Sequence, residues 1–206
     1  MMQGSGSALP HSESCERNKQ AILGVLRATV AGGSRLLELG SGTGQHVVYF
    51  AAQMPDTTWQ PSDTGDILAG LATRIEREAP ENVAAPVEID VRMRPWPVGT
   101  FNVVFSANML HFMSQDCVRE FFRGVGEVLE PTGLLIIYGP FNYDGRYTSV
   151  SNERFDQWLK NGDPERAIRD FEWVNELAEA QSLRLLQDAA MPANNRTLVW
   201  GKAPDI

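Results

Sequence analysis

Apolar residues recur with two different periods along this chain, and each change of period marks a change of element. Over 14–29, Ala21, Ile22, Val25 and Leu26 fall on one helical stripe, closed by AGGS. RLLEL (35–39) predicts a first strand and 45–53 a helix. TTWQPSD (57–63) predicts a second strand ending in a turn, and 67–79 a helix stopped by Pro80. APVEIDV (85–91) predicts a third strand, then a proline-rich loop, and FNVVFSA (101–107) a fourth. Over 116–130, Val118, Phe121, Phe122, Val125, Val128 and Leu129 make one apolar face, broken by PTG. LLIIYG (134–139) is apolar throughout, as in a strand covered on both faces. Two helices, 151–160 and 164–181, lead to strands LRLLQDAA and RTLVWGK, joined by MPANN (191–195).

Strands alternating with helices imply an α/β fold with a mostly parallel sheet and helices on both faces. The MPANN connection is too short for a parallel crossover, so the last strand runs antiparallel. The domain expected is single, over 14–206, with a flexible start at 1–13 and a helical insertion at about 142–170. That insertion carries Tyr143, Tyr147 and Trp158, and reads either as a lid over substrate or as an ordinary packed insertion. In such sheets ligands bind outside the carboxyl ends of the strands. The loops starting at Gly40, Asp63, Asp90, Asn108 and Gly139, and the MPANN connection, all belong to that rim.

Composition narrows the classes. The chain has 206 residues and a formal net charge of −8, with no run of basic residues, which argues against a nucleic-acid partner. No apolar run is long enough to span a bilayer, and the first ten residues lack a signal-peptide pattern. Cys15 and Cys117 lack metal-ligand spacing and read as free thiols in a reducing compartment, so a cytoplasmic location is expected. Carboxylates and histidines form no metal-ligand cluster, and no metal is expected.

The stretch LLELGSGTGQHVVYFA (36–51) carries the chemistry. Glycines at 40, 42 and 44 between a strand and a helix permit positive φ and close approach of backbone to ligand. A dinucleotide loop would read G-x-G-x-x-G/A, but Gln45 stands where that pattern wants Gly or Ala. The spacing E-x-G-x-G-x-G instead resembles motif I of the class I methyltransferases that use S-adenosylmethionine. The resemblance implies a Rossmann-like, seven-stranded methyltransferase fold. It also implies a cofactor site of Glu38, Gly40, Ser41, Gly42 and Gly44, with Asp63, Asp90, Val91 and Asn108 from later rim loops. Asp63 lies about twenty residues past the last glycine, where a ribose-binding acid belongs. Asp90 would accept from the adenine amino group, and Glu38 would lie near the cofactor's amino end. Each has a structural alternative: a helix cap for Asp63, a turn or cap for Asp90, and a salt-bridged acid for Glu38.

Several segments together resemble a narrower group. CERNKQAIL (15–23), ELGSGTGQH (38–46), WQPSD (59–63), YGPF (138–141), SNERFD (151–156), AIRD (167–170) and MPANN resemble the DUF938 or UPF0585 family, the methyltransferase-like protein 26 family. The resemblance covers nearly the whole chain after about residue 13. It implies the cofactor but no particular acceptor. Cys15 departs from the small residue, such as Ala, expected at its position.

Methyl transfer from a sulfonium relies on placement, and a base helps where the acceptor is a hydroxyl or ammonium. His111, Tyr138 and Asn194 are the catalytic candidates; His111 and Tyr138 also read as core residues, and Asn194 as a turn residue. Arg17 and Asn18 on the first helix, with Asn142 and Asn195, are candidates for substrate binding. NMLH after the fourth strand is not the Asp/Asn-Pro-Pro-Tyr/Phe of base-amino methylation, and no Pro-Cys pair offers a C5 nucleophile. The expected function is methyl transfer from S-adenosylmethionine, giving S-adenosylhomocysteine, to a small-molecule acceptor. A non-catalytic module binding the cofactor or a partner is the alternative. An NAD(P)-dependent oxidoreductase is disfavoured by Gln45.

Overall fold

A computed structural model describes residues 9–204. The elements run α1 (Glu13–Thr29), β1 (Arg35–Leu39), α2 (Gln45–Gln53), β2 (Thr58–Asp63), α3 (Gly65–Glu78), β3 (Val87–Glu88), β4 (Phe101–Ala107) and α4 (Gln115–Val128). They continue as β5 (Leu129–Gly139), β6 (Phe141–Asn142), α5 (Val150–Gly162), β7 (Arg169–Asp170), α6 (Phe171–Glu179), β8 (Leu183–Met191) and β9 (Asn195–Lys202). Seven strands form one sheet in the order β3-β2-β1-β4-β5-β9-β8. β9 is antiparallel to both β5 and β8, and the other pairings are parallel. The antiparallel last strand expected from the short MPANN connection is therefore present, inserted between its two neighbours. β6 and β7 pair separately as a small parallel ribbon.

Central strands show why an unbroken apolar run was needed. In β5, Leu135 and Ile137 join one core with Phe121, Phe122 and Val125 of α4. Ile136 and Tyr138 join the opposite core with Ile22 and Leu26 of α1 and Phe50 of α2. Each face buries every second residue, at about 1.5–3 kcal/mol for a fully buried large side chain. Ser12, Ser114 and Ser149 cap α1, α4 and α5, each hydroxyl accepting a backbone N–H from the first turn. Among the described residues no helix is long and apolar enough to cross a membrane.

Three boundaries differ from expectation for tertiary reasons. The third strand shrinks to Val87–Glu88, and Asp90 lies beyond it in a turn closed by the Met93 N–H on the Asp90 carbonyl. The ladder between β4 and β5 starts at Phe101–Leu129, before PTG, and shifts register around Thr132, whose φ is 64°. Helix is expected from 164, but α6 starts at Phe171. The Ile168 N–H is instead taken by the Asp156 carboxylate, and the buried Arg169 reaches the carbonyls of Leu110, Met113 and Glu165. Of the flexible start expected at 1–13, residues 1–8 lie outside the described residues. Residues 9–12 run up to α1 with the Pro10 carbonyl accepting from Arg74 and the Ser12 N–H donating to Gln45.

Gly124 on α4 faces Trp96 from the proline-rich loop: a Cβ there would lie 2.0 Å from the indole. We expect Gly124→Ala to cost about 1–3 kcal/mol by overpacking. Gly99→Ala, where a Cβ meets nothing within 4 Å, should stay within about 0.5 kcal/mol. Urea unfolding of both variants checks the contrast.

Candidate functional site

The loop between β1 and α2 is built by its neighbours. Gly40, Gly42 and Gly44 all have positive φ, at 73°, 55° and 76°. A Cβ on Gly40 would lie 2.8 Å from Met109 Sδ, and one on Gly44 would lie 2.9 Å from Leu71 Cδ1. Gly42 differs, because a Cβ there would meet nothing within 4 Å. Two glycines thus make room for protein, and the middle one opens a bare stretch of backbone to the rim. Gly44 caps α2 without a side-chain hydrogen bond, leaving first-turn N–H groups uncapped by any side chain.

The second strand pins this loop. The Ser62 carbonyl accepts from the N–H groups of Gly40 and Ser41, at 3.1 and 2.9 Å. Asp63 Oδ2 accepts the Gly42 N–H at 2.7 Å, and Oδ1 accepts the Thr64 N–H at 2.8 Å. Each carboxylate oxygen retains further acceptor capacity. Glu38 is buried at 2% exposure under the loop. Burial pushes its carboxyl up to about 7; the Ser41 hydroxyl, donating at 2.7 Å, opposes this and the nearby Asp63 charge adds to it. Asp90 is engaged by its own turn: Arg92 donates to both carboxylate oxygens and holds the carboxyl below its usual range. Val91 is buried with Ile89 and Trp96 in the core against α4. Asn108, at φ 56°, ends β4 with its N–H on the Tyr138 carbonyl.

Other candidates fall into two groups. Tyr138 is buried beneath α1, where burial raises its hydroxyl pKa and the Asn18 and Asn195 side chains oppose the shift. Asn18 Oδ1 accepts from His46 Nε2 at 2.7 Å, and the Cys15 sulfur lies 4.0 Å from His46 Nδ1. Burial holds His46 down at about 4, so α1 is tied to α2 through neutral polar groups. Arg17 projects from the same helix as an exposed residue.

The second group lies around α5. His111 is 4% exposed, its ring 4.5 Å from that of Phe112 and 5.2 Å from that of Phe155. Burial pushes its pKa down to about 3, aided by the Arg169 charge. Asn142 Nδ2 donates weakly to the Ile168 carbonyl at 3.5 Å, and its buried Oδ1 has no hydrogen-bond partner. In the MPANN turn Ala193 and Asn194 both sit at φ 58°. The Asn194 carbonyl accepts from Asn152 of α5 at 3.1 Å, and Asn194 Nδ2 donates to Ser151 at 3.3 Å. Asn195 Nδ2 donates to the Pro192 carbonyl. A cavity of about 530 Å³ opens here, lined by Tyr143, Thr148, Met191, Asn194, Asn195 and Arg196.

Sequence reasoning passed over Ser62, Ser106 and Met109. The Ser62 hydroxyl donates to the Glu38 carbonyl at 2.7 Å. The Ser106 hydroxyl reaches the Leu39 carbonyl at 3.0 Å and the Met109 sulfur at 3.4 Å. Both serines are fully buried strand residues, and a buried hydroxyl needs a partner; for Ser106 the signal was present, because it follows the apolar run VVF.

Comparison with solved structures shows the same fold in larger enzymes. An O-methyltransferase family protein from Burkholderia thailandensis is 16% identical at a TM-score of 0.79, over 94% of this chain and 59% of that one. Human N-acetylserotonin methyltransferase, solved with S-adenosylmethionine, is 14% identical at 0.79, over 93% and 53%. An O-methyltransferase family 2 protein from Planctomyces limnophilus, solved with apigenin, is 14% identical at 0.72, over 90% and 62%. The chain thus spans little more than half the length of these proteins. Its architecture is the Rossmann-like class I methyltransferase fold. Residues 9–202 match the family described as "Protein of unknown function (DUF938)", and the chain belongs to the DUF938 family.

Proposed function

We propose that this chain binds S-adenosylmethionine and methylates a small-molecule acceptor, at a hydroxyl oxygen. One observation carries the reading: a strand-to-helix loop whose middle glycine opens bare backbone to the rim, held by a carboxylate at the end of the next strand. That cradle fits a nucleoside cofactor. Asp63 retains acceptor capacity for ribose hydroxyls, and the buried Glu38 provides an acid under the loop for the cationic amino end. Asp90 suits the adenine amino group once Arg92 turns away, since their pair is exposed at Arg92. The structural neighbours titled as O-methyltransferases support the choice of oxygen.

When bound, S-adenosylmethionine supplies a methyl group on a sulfonium sulfur: an acceptor O–H becomes O–CH3, the proton leaves, and the sulfonium becomes a neutral thioether. The chain's own residues place the acceptor. His111 stays neutral across physiological pH, so its ring can accept a hydrogen bond from the acceptor hydroxyl and orient it. The Ala167 N–H on the His111 carbonyl and the rings of Phe112 and Phe155 fix its position. Its low basicity makes it a positioning group, and the proton leaves to water. Asn194 and Asn195 offer amide groups beside the cavity.

Calorimetric titration tests the cofactor first. S-adenosylmethionine and S-adenosylhomocysteine should bind and NAD should not. Asp63→Ala should weaken both by roughly 10- to 100-fold, the loss of one or two charge-assisted hydrogen bonds at about 1.5–3 kcal/mol each. Binding of NAD alone would overturn the reading.

Glu38 gives a pH signature. The unfolded chain releases this proton near the ordinary 4.5 and the folded chain near 7. Over that interval the folded state binds the extra proton, so stability falls as pH rises. The penalty is fully present above about 7 and amounts to about 3 kcal/mol. Glu38→Gln should therefore shrink the stability difference between pH 5 and pH 8 by a few kcal/mol in urea unfolding. It should also weaken cofactor binding at pH 8.

His111→Ala should lower kcat by up to about 10²-fold through lost placement of the acceptor and leave the dissociation constant of S-adenosylhomocysteine unchanged. With His111 neutral down to about 3, its ionisation should produce no acid limb in kcat/KM between pH 5 and pH 8.

A further inference from the structure

α5 crosses the rim with one aromatic stripe. Ser151, Phe155 and Trp158 follow one another at four- and three-residue spacing, which places them on one side of the helix. At its start the stripe is bonded to the MPANN turn through Ser151 and Asn194. In its middle Phe155 packs edge-on against His111 at the end of β4. The inner side of α5 is fixed by Asp156, buried at 1% exposure, which accepts from the Ile168 N–H and the Tyr147 hydroxyl. The helix therefore spans the gap between the two rim loops, and the stripe is continuous with His111.

The outer half of the stripe is open. Trp158 stacks on Phe155 with ring centroids 5.8 Å apart and planes at 13°, yet it is 61% exposed. Phe112, on the other side of His111, is 43% exposed. The guanidinium of Arg166 stands 5.8 Å from the centre of that ring. Large rings stacked in parallel and left in water present flat apolar faces, and burying one contributes free energy that favours a planar ligand over a puckered one.

We propose that Phe112, His111, Phe155 and Trp158 form the acceptor platform, and that the acceptor is a planar aromatic compound carrying a hydroxyl group. The inference rests on the methyltransferase reading above. The ring stack favours the phenolic class. It selects for planarity, and a hydroxyl carried directly on a planar aromatic ring ionises near 10, so it gives up its proton far more readily than an aliphatic alcohol does. At the reacting oxygen the O–H bond gives way to O–CH3 as the methyl–sulfur bond breaks, and the proton is released to water while His111 holds the hydroxyl in place.

Two alcohols of matched size separate the possibilities: 2-naphthol, which is planar, and its saturated analogue decahydro-2-naphthol. Each is titrated calorimetrically into the full chain, with and without S-adenosylhomocysteine. The planar compound should bind about tenfold more tightly. Trp158→Ala and Phe155→Leu should each weaken it about fivefold, the scale of one aromatic contact, and leave S-adenosylhomocysteine affinity unchanged. Equal affinity for the two alcohols, or naphthol binding untouched by both variants, overturns the proposal. So does concentration-dependent self-association in sedimentation that Trp158→Ala abolishes, because the patch would then join copies of the chain. Failure of S-adenosylhomocysteine to bind would instead strike the cofactor reading, and the naphthol titrations without it would still report on the platform.

Discussion

The candidate site depends on the hydrogen bond from the Gly42 N–H to the Asp63 carboxylate. At 2.7 Å it joins the tip of the glycine loop to the end of the neighbouring strand. It works with the Ser62 carbonyl, which takes the N–H groups of Gly40 and Ser41. Three consecutive backbone donors are thereby committed to β2, and the Ser41 hydroxyl adds to the hold by donating to Glu38 and accepting the Ser62 N–H. Asp63 is thus a support of the cradle as well as a candidate ligand of the cofactor. Removing it therefore reaches the shape of the loop itself as well as any ligand held there.

A second constraint is electrical. Glu38, His46 and His111 are all buried, and burial drives each toward its neutral form. Around Glu38 and His46 the interior therefore carries little fixed charge, whereas the buried charges of Asp156 and Arg169 are gathered at α5 and the strand that follows it. In that setting a bound cation is poorly screened, and a nearby carboxyl that can lose its proton becomes the natural counterweight. Glu38 is the group so placed.

Much of the architecture was legible in the chain because strand and helix periods differ and the sheet's inner strands must be apolar on both sides. Leu135, Ile136 and Ile137 belong to opposite cores yet read as one run, and that run located the central strand. The rim followed from topology alone. Partnerships were less legible. Nothing local to Gly40 reveals that Met109, far along the chain, fills the space beside it. Nor does the helical look of 164–170 reveal that Asp156 claims the Ile168 N–H. Asp90 was placed at a strand end, but Arg92, two residues on, draws it into a turn. Such outcomes are decided by distant side chains, which override local preference.

The insertion of β9 between β5 and β8 bears on how the chain assembles. β5 pairs with β4 soon after both are made, but its other edge waits for a strand about sixty residues further on, with Tyr138 opposite Thr197 and Ile136 opposite Val199. Such distant pairing carries a loop-closure cost that slows folding. Until β9 arrives, a fully apolar strand shows an open row of backbone donors and acceptors, the kind of edge at which chains aggregate. The step that seals the sheet is also the one that sets the MPANN turn against α5 through Asn194 and Ser151, so this side of the rim is the last part of the molecule to take shape.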